Sequence, residues 1–288
     1  MVKMVDVRQM TEADMTAADQ LRSLAGWNQT FNDWQRLLSL QPHGCFVAEQ
    51  DGNLVGTVTT TYYGSELAWV GMLLVHPDYR KQGIGGKLMK QAMGYLSTLG
   101  VTCIGLDATP AGETIYRKLG FQPRWGLARW EITSVPNFPV DNYLRVRCLE
   151  SEKDLDEIIN LDRITFGVNR AELLKLLVND SLETYVIAGK GRRITGFGMV
   201  RAGSKAYSLG PLVAIHKVDA EEIITALLKD INDQPCYWDI PGYNLVAVEL
   251  AGQYGFHKQR SLTRMFLGSL QTLSQPSRQY AICDFSTG

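Results

Sequence analysis

The sequence has no Cys-x-x-Cys pair, no long apolar run and no surplus of either charge. Its cysteines, Cys45, Cys103, Cys148, Cys236 and Cys283, stand far apart, which argues against a zinc knuckle or a thioredoxin-type redox pair. Five is an odd count, at odds with a fully paired disulfide framework, and points to a reducing compartment. The four histidines show no metal-ligand spacing, so no metal is expected. Lys and Arg number 29 against 30 Asp and Glu. A protein that neutralises many phosphates needs a basic excess, so no nucleic-acid partner is expected. Met1–Met10 lacks the apolar core of a signal peptide, and the apolar run Ala68–Val75 is too short to span a bilayer. The chain is expected to be cytoplasmic, with no membrane partner, and a monomer or homodimer.

What is present fits a folded chain of two domains. Hydrophobic residues make up 45% of the 288, and charged residues 20%. Val5–Arg8 reads as a strand, and Thr11 with Asp14 three residues on reads as the start of a helix. A second helix covers Phe31–Leu40. Strands follow at Cys45–Glu49 and Leu54–Tyr62, joined by the turn Asp51-Gly52-Asn53. Trp69–Val75 is apolar on both faces and so belongs in the middle of a sheet. A long helix over Gly83–Leu99, a strand at Thr102–Asp107, a short helix at Glu113–Leu119 and a strand from Phe121 complete the first half.

Ser134–Pro139 carries two prolines and no period, and reads as a linker, here 135–140, between domains at 1–134 and 141–288. Beyond it the pattern starts again, with strands at Tyr143–Cys148, Tyr185–Ala188, Ile194–Arg201 and Leu209–Ile215, and helices after Ser151, at Ala171–Val178 and at Ala220–Ile231. Leu245–Ala251 has a mixed pattern, and Leu262–Leu267 is a last strand. Gly71-Met-Leu-Leu-Val75 matches Gly210-Pro-Leu-Val-Ala214 at an offset of 139, and Gly120-Phe121 matches Gly255-Phe256 at 135. Similar offsets through matching elements indicate a tandem duplication.

The chemistry is concentrated where the buried strand ends at Val75. There follow His76-Pro-Asp-Tyr-Arg80-Lys81-Gln82-Gly83-Ile84-Gly85-Gly86-Lys87 and a long amphipathic helix. A helix start offers unpaired N–H groups and partial positive charge, which suit a pyrophosphate. Gly83 and Gly85 let phosphate oxygens approach the backbone, and Arg80, Lys81 and Lys87 add charge. A Walker loop is excluded by Leu88 after Lys87, and the same leucine stands where a dinucleotide fingerprint starting at Gly83 wants glycine.

Arg80-x-x-Gly83-x-Gly85 after a strand resembles the pyrophosphate motif of the GCN5-related N-acetyltransferases. Val75–Arg80 resembles that family's lead-in, and Ile115–Phe121 its late helix-to-strand signature. The order of elements follows the family across Val5–Thr133. The resemblance implies an α/β fold of α+β type with a mixed sheet. Each of two such domains would have a mostly antiparallel sheet with a central splayed parallel pair, flanked by helices. It also implies acetyl-coenzyme A as acyl donor, with Leu73, Leu74 and Val75 against the pantetheine arm and Arg80–Lys87 around the diphosphate. An amine of a small metabolite then attacks the thioester directly. Tyr116 matches the family's general acid; the alternative for it is a core tyrosine. Glu66, at the entrance of the central strand, is the candidate base, against a solvated turn glutamate. Asp107 is a base or a helix cap, and His76 a packed strand-end residue. Trp27, Trp34, Tyr62, Tyr63, Trp69 and Trp125 border the acceptor side in such a fold, as a wall or as plain core.

Carried through the offset of 139, Arg80 falls on Asp219, Gly83 on Glu222 and Gly85 on Ile224, and Tyr116 falls on Ala251 at 135. Two carboxylates and two side chains oppose an anion, so the second half is expected to lack a donor site. Asp162-Arg-x-x-Phe166-Gly167-x-x-Arg170 is its most distinctive polar stretch, an acceptor contact or a helix-surface ion pair. Two other functions keep the same turn: a coenzyme A-binding sensor without catalysis, and acetylation of a protein amine.

Overall fold

Each half begins with the same local device. Thr11 and Asp14 cap each other reciprocally, with the Thr11 N–H donating to Asp14 Oδ2 at 2.8 Å, and Thr30 and Asp33 repeat the arrangement. Ser151 Oγ accepts from the Asp154 N–H at 3.2 Å at the corresponding helix of the second half. A strand arginine then holds the capping carboxylate: Arg8 reaches Asp14 through two bonds of 2.7 Å, and Arg147 reaches Asp154 at 2.7 and 2.6 Å. Arg8 and Arg147 are 139 residues apart.

The computed structural model describes residues 5–138, 145–189, 193–269 and 275–288. The first elements in chain order are β1 (Asp6–Gln9), α1 (Met15–Leu24), α2 (Phe31–Leu40), β2 (Phe46–Gln50), β3 (Asn53–Tyr62), β4 (Ala68–Val75), α3 (Ile84–Thr98), β5 (Cys103–Ala108), α4 (Pro110–Lys118) and β6 (Gln122–Ile132). There follow β7 (Val146–Cys148), α5 (Glu152–Phe166), α6 (Ala171–Asp180), β8 (Ser181–Ala188), β9 (Ile194–Arg201), β10 (Tyr207–Ala214), α7 (Lys217–Lys229), β11 (Cys236–Pro241), α8 (Leu245–Gln253), β12 (His257–Gly268) and β13 (Gln279–Ala281). The chain forms two compact units that no single cut separates. Unit 1 holds Met1–Gln122, Met265–Leu270 and Phe285–Gly288, and unit 2 holds Pro123–Arg264 and Gln271–Asp284. Limits drawn at 134 and 141 from the prolines do not coincide with these units.

In unit 1, β1 to β4 pair antiparallel in succession. β4 then runs parallel to β5 through only two levels, Ala68↔Ile104 and Trp69↔Gly105, after which the strands part. Ala68 and Val70 pack under α3 with Ile84, Leu88 and Met89. Met72 and Leu74 pack on the other face with Leu21, Trp34 and Leu37 of α1 and α2. Residues 70 and 72 would share a face in a regular strand. A bulge separates them: Met72 has φ +47°, and the register with β3 slips between Thr57 and Thr59.

Unit 2 repeats the pairing. β7 to β10 are antiparallel in succession, and β10 runs parallel to β11 from Tyr207↔Cys236 to Leu209↔Trp238. β10 follows β4 by 139 residues at both ends, and α8 follows α4 by 135. Two strands lie outside the sequence expectations. β11 is a six-residue Cys-Tyr-Trp-Asp-Ile-Pro run, and β13 is three residues beside β10. The mixed stretch at Leu245 is helix α8, started by Asn244, whose Oδ1 accepts from the Ala247 N–H at 3.0 Å.

Of the proline stretch read as a linker, 135–138 is packed against unit 2. Val135 is fully buried, its N–H donates to Gln234 O at 2.9 Å, and Phe138 stacks edge-on against Tyr254. The apolar side chains outweigh the prolines there; 139–140 lie outside the described residues, as do Tyr143 and Leu144 of the expected strand.

The paired capping carboxylates give stability a defined pH dependence. The Arg8 hydrogen bonds hold the Asp14 carboxyl at about 2, and those of Arg147 hold Asp154 at about 2. An unfolded aspartate titrates near about 3.9. Both contributions are therefore complete above about pH 5 and are lost as pH falls from about 4 to 2. Urea titrations are expected to show a steeper loss across that window in the native chain than in the Arg8→Met/Arg147→Met variant.

Candidate active site

The turn after β4 is built to leave a helix start uncovered. Pro77 stops the strand, and one tight turn over Pro77–Tyr79 redirects the chain. Lys81 (φ +63°) and Gly83 (φ +79°) are both left-handed, and α3 begins at Ile84. The first bond of the helix runs from the Lys87 N–H to Gly83 O at 3.1 Å. The N–H groups of Ile84, Gly85 and Gly86 precede that ladder, and no side chain caps them. A Cβ placed at Gly83 or Gly86 would meet nothing within 4 Å, and one at Gly85 only Val75 Cγ2 at 3.7 Å. Arg80 Nε donates back to Val75 O at 3.2 Å, and Lys87 Nζ to Val5 O at 3.3 Å. Both cations thus stay beside the helix start, and Lys81 and Gln82 are exposed there. The Ile84 side chain is buried under the sheet, so only its amide serves the turn.

The second part is the edge that β4 turns to β5. Beyond Trp69 no strand pairs with that edge among the described residues. Leu73 and Val75 are half-buried on the α3 side, and Leu74 is buried on the other. An extended amide-bearing chain fits such an edge as a strand would.

Tyr116 lies on α4, directly after β5, with its ring 6.0 Å from Phe121 and packed against the core under α3. Burial pushes its phenol up to about 12, so it is protonated across the neutral range. Glu66 is exposed in the turn before β4. That is two residues before β4, whose first paired level with β5, Ala68↔Ile104, is itself roughly 10 Å along the strand from Gly71. The structure does not bring Glu66 to the opening. His76 is half-buried, with Nδ1 3.3 Å from the Asp78 N–H and its ring against Tyr79. The aromatic residues do not form one wall. Trp34 is core between α1, α2 and the sheet, Tyr62 is exposed, and Trp125 stacks on Tyr243 in unit 2. Tyr63 and Trp69 instead meet a segment with no motif in the sequence: Tyr63 Oη donates to Thr287 O at 2.6 Å, and Trp69 Nε1 to Phe285 O at 3.1 Å.

Unit 2 has both features filled by its own chain. β13 pairs with β10 at Leu212↔Ala281 and Val213↔Gln279, while β9 holds the opposite edge of the same residues. The Ile282 N–H donates to Asp239 O of β11 at 3.0 Å, and Trp238 Nε1 to Tyr280 O at 2.9 Å. The strand therefore lies in the opening between β10 and β11, where the corresponding edge of β4 in unit 1 has no strand among the described residues. At the start of α7, Arg145 bonds Glu222 at 2.9 Å and Asp219 at 2.8 Å, so the carboxylates that replace Arg80 and Gly83 carry their own cation. Asp162 and Arg170 are fully buried and bonded to each other, with Arg170 3.6 Å over the Phe166 ring. This pair is interior, not a helix surface. Among the described residues no three His, Cys, Asp or Glu are placed to hold a metal, and no helix is long and apolar enough to cross a membrane.

Comparison with known proteins points to acetyltransferases. Two family models, each describing an acetyltransferase (GNAT) domain, match residues 41–123 and 158–281. The chain is 25% identical over 243 residues to holothin acyltransferase of a Pseudoalteromonas species, covering 84% of this chain and 81% of that protein. It is 25% identical over 236 residues to the uncharacterized N-acetyltransferase YitH of Bacillus subtilis, covering 81% of each. The fold is shared with a putative acetyltransferase from Pyrococcus horikoshii at a TM-score of 0.85 and 23% identity, over 99% of this chain and 96% of that one. A tandem GNAT protein from the clavulanic acid biosynthesis pathway superposes with a TM-score of 0.67 at 14% identity, over 92% and 98%.

Proposed function

The chain belongs to the GNAT acetyltransferases, and from that membership we propose that unit 1 moves an acetyl group from acetyl-coenzyme A to a primary amine of a small metabolite. One contrast supports this reading most. The helix start and strand edge that suit a diphosphate and a pantetheine arm are open in unit 1 and filled in unit 2. The amides of Gly83–Gly86, with Arg80, Lys81, Gln82 and Lys87, hold the diphosphate. The backbone of Leu73–Val75 holds the arm. The bound donor supplies an activated acyl group, so the protein need provide no nucleophile.

What the residues add is alignment and proton handling. The Tyr116 phenol, held near 12, is a weaker acid than a thiol of ordinary pKa about 8.5. It acts by donating a hydrogen bond to the departing sulfur rather than by complete proton transfer. Tyr116→Phe is therefore expected to lower kcat about tenfold without changing donor affinity, as stopped-time assays of free thiol release would show.

Unit 2 serves as a shell without a donor site. Calorimetric titration with acetyl-coenzyme A is expected to give one site per chain; two equal sites would remove the contrast on which the reading stands. The names of the two relatives matched over four-fifths of their length both describe transfer, which favours an enzyme over a sensor. Donor binding with no product from a panel of amines, amino acids, polyamines and aminoglycosides would reverse that preference.

A further inference from the structure

β5 sends alternate residues to opposite faces of the sheet. Ile104, Leu106 and Ala108 enter the core under α3. Gly105 faces the other way: a Cβ there would lie 2.3 Å from the Trp69 ring and 2.9 Å from that of Phe266. Asp107, two residues on, shares the face of Gly105 and is half-buried. Trp69↔Gly105 is the last level at which β4 and β5 pair. Gly71 and Asp107 are each two residues beyond it, on opposite sides of the opening.

The same face is covered over β4. A Cβ at Gly71 would lie 2.5 Å from Ser286 O and 2.6 Å from Ser286 Cα. The bonds of Tyr63 and Trp69 to Thr287 O and Phe285 O fix the segment there, and Ser286 and Thr287 are buried. Thr287 Oγ1 is buried without a hydrogen-bond partner among the described residues. Phe285–Gly288 thus roofs one side of the opening and Asp107 flanks the other, on the face away from α3.

We propose that Asp107 is the base that receives the acceptor's proton, and that Ser286–Gly288 wall the approach to it. The inference rests on the acetyl-transfer reading and supplies the group that Glu66 is too far away to be. A carboxylate beside the opening attracts an ammonium, which releases one proton to solvent and attacks as the neutral amine. As the nitrogen bonds to the acyl carbon, one N–H proton passes to Asp107. The bond from that carbon to sulfur then breaks, and the sulfur leaves with the electron pair. The proton held by Asp107 returns through solvent to the thiolate, leaving amide, thiol and free carboxylate.

Hydroxylamine serves as a small acceptor probe, read as acetylhydroxamate formed from acetyl-coenzyme A. Asp107→Asn is expected to lower kcat about a hundredfold. Donor affinity by calorimetry should stay within twofold of the native chain, and Asp107→Glu should recover at least a tenth of the rate. An Asn variant within threefold of native kcat overturns the inference, and so does one that loses donor affinity together with rate. Failure of the native chain to raise hydroxamate formation above the uncatalysed rate while binding donor would instead overturn the transfer reading, and this inference with it.

Discussion

Replacing Gly85 with leucine is expected to weaken acetyl-coenzyme A binding about a thousandfold and to leave the melting temperature nearly unchanged. A Cβ at this position meets only Val75 Cγ2, at an ordinary contact distance of 3.7 Å, so the backbone there accepts a side chain. Leaving glycine in a helix for a better helix former gains roughly 0.5–1 kcal/mol, which offsets small losses. The space the leucine takes is the space through which phosphate oxygens reach the amides of α3. Losing two charge-assisted bonds at about 2 kcal/mol each corresponds to about three orders of magnitude in affinity. Gly83 is the poorer probe, because its φ of +79° penalises any side chain whether or not phosphate binds. Gly94 is the control. It is also open on α3, with nothing within 4 Å of an added Cβ, but it lies nearly three helical turns from the helix start. Gly94→Leu should leave affinity intact.

The second large effect belongs to unit 2. Arg170 Nε and Nη2 meet the two oxygens of Asp162 at 3.0 and 2.7 Å, and neither side chain has measurable solvent exposure. Removing Asp162 takes away the carboxylate that the buried guanidinium faces, at a cost of about 3–5 kcal/mol. Asp162→Ala is therefore expected to lower the melting temperature by on the order of 10 °C. Replacing both residues with apolar ones of similar volume removes the guanidinium as well. Asp162→Leu/Arg170→Met should accordingly be more stable than the single variant. If the double variant is the less stable, the pair contributes more than mutual neutralisation, and the burial argument fails.

How far the sequence alone reached depended on what kind of signal each element carries. The turn over Arg80–Gly86 was legible because a glycine pattern after a buried strand has one cheap backbone solution, and the structure adopts it, with Gly83 left-handed at the cap of α3. The duplication was legible through Gly71 and Gly210, and β4 and β10 keep that spacing over their full length. β11 escaped because Tyr237 and Asp239 interrupt the continuous apolar run expected of a strand buried on both faces, and β13 because three residues carry no period. The linker was misjudged for a related reason: prolines mark a break in hydrogen bonding, but Val135 and Phe138 are held by side-chain packing that no local pattern reports. Phe285–Gly288 was invisible for a stronger reason. Its place beside Trp69 and Gly71 joins residues more than 200 positions apart, and nothing in Phe-Ser-Thr-Gly marks the partner.

The fate of the second donor site is also a matter of structure rather than motif. Asp219 and Glu222 stand where unit 1 has Arg80 and Gly83, and Arg145 pairs with both. An opening between β10 and β11 left empty would expose backbone groups with no partner, at a cost comparable to a lost hydrogen bond for each. β13 supplies those partners from the chain itself. In unit 1 the same edge of β4 has no strand beyond Trp69 among the described residues, which is the condition for a ligand to use it.

A crystal structure of the chain grown with acetyl-coenzyme A tests this most directly. The diphosphate should lie on the amides of Gly83–Gly86 beside Arg80, with the pantetheine arm along Leu73–Val75 and no donor between β10 and β11. Donor density at the start of α7, or a diphosphate seated anywhere away from Gly83–Gly86, would contradict it.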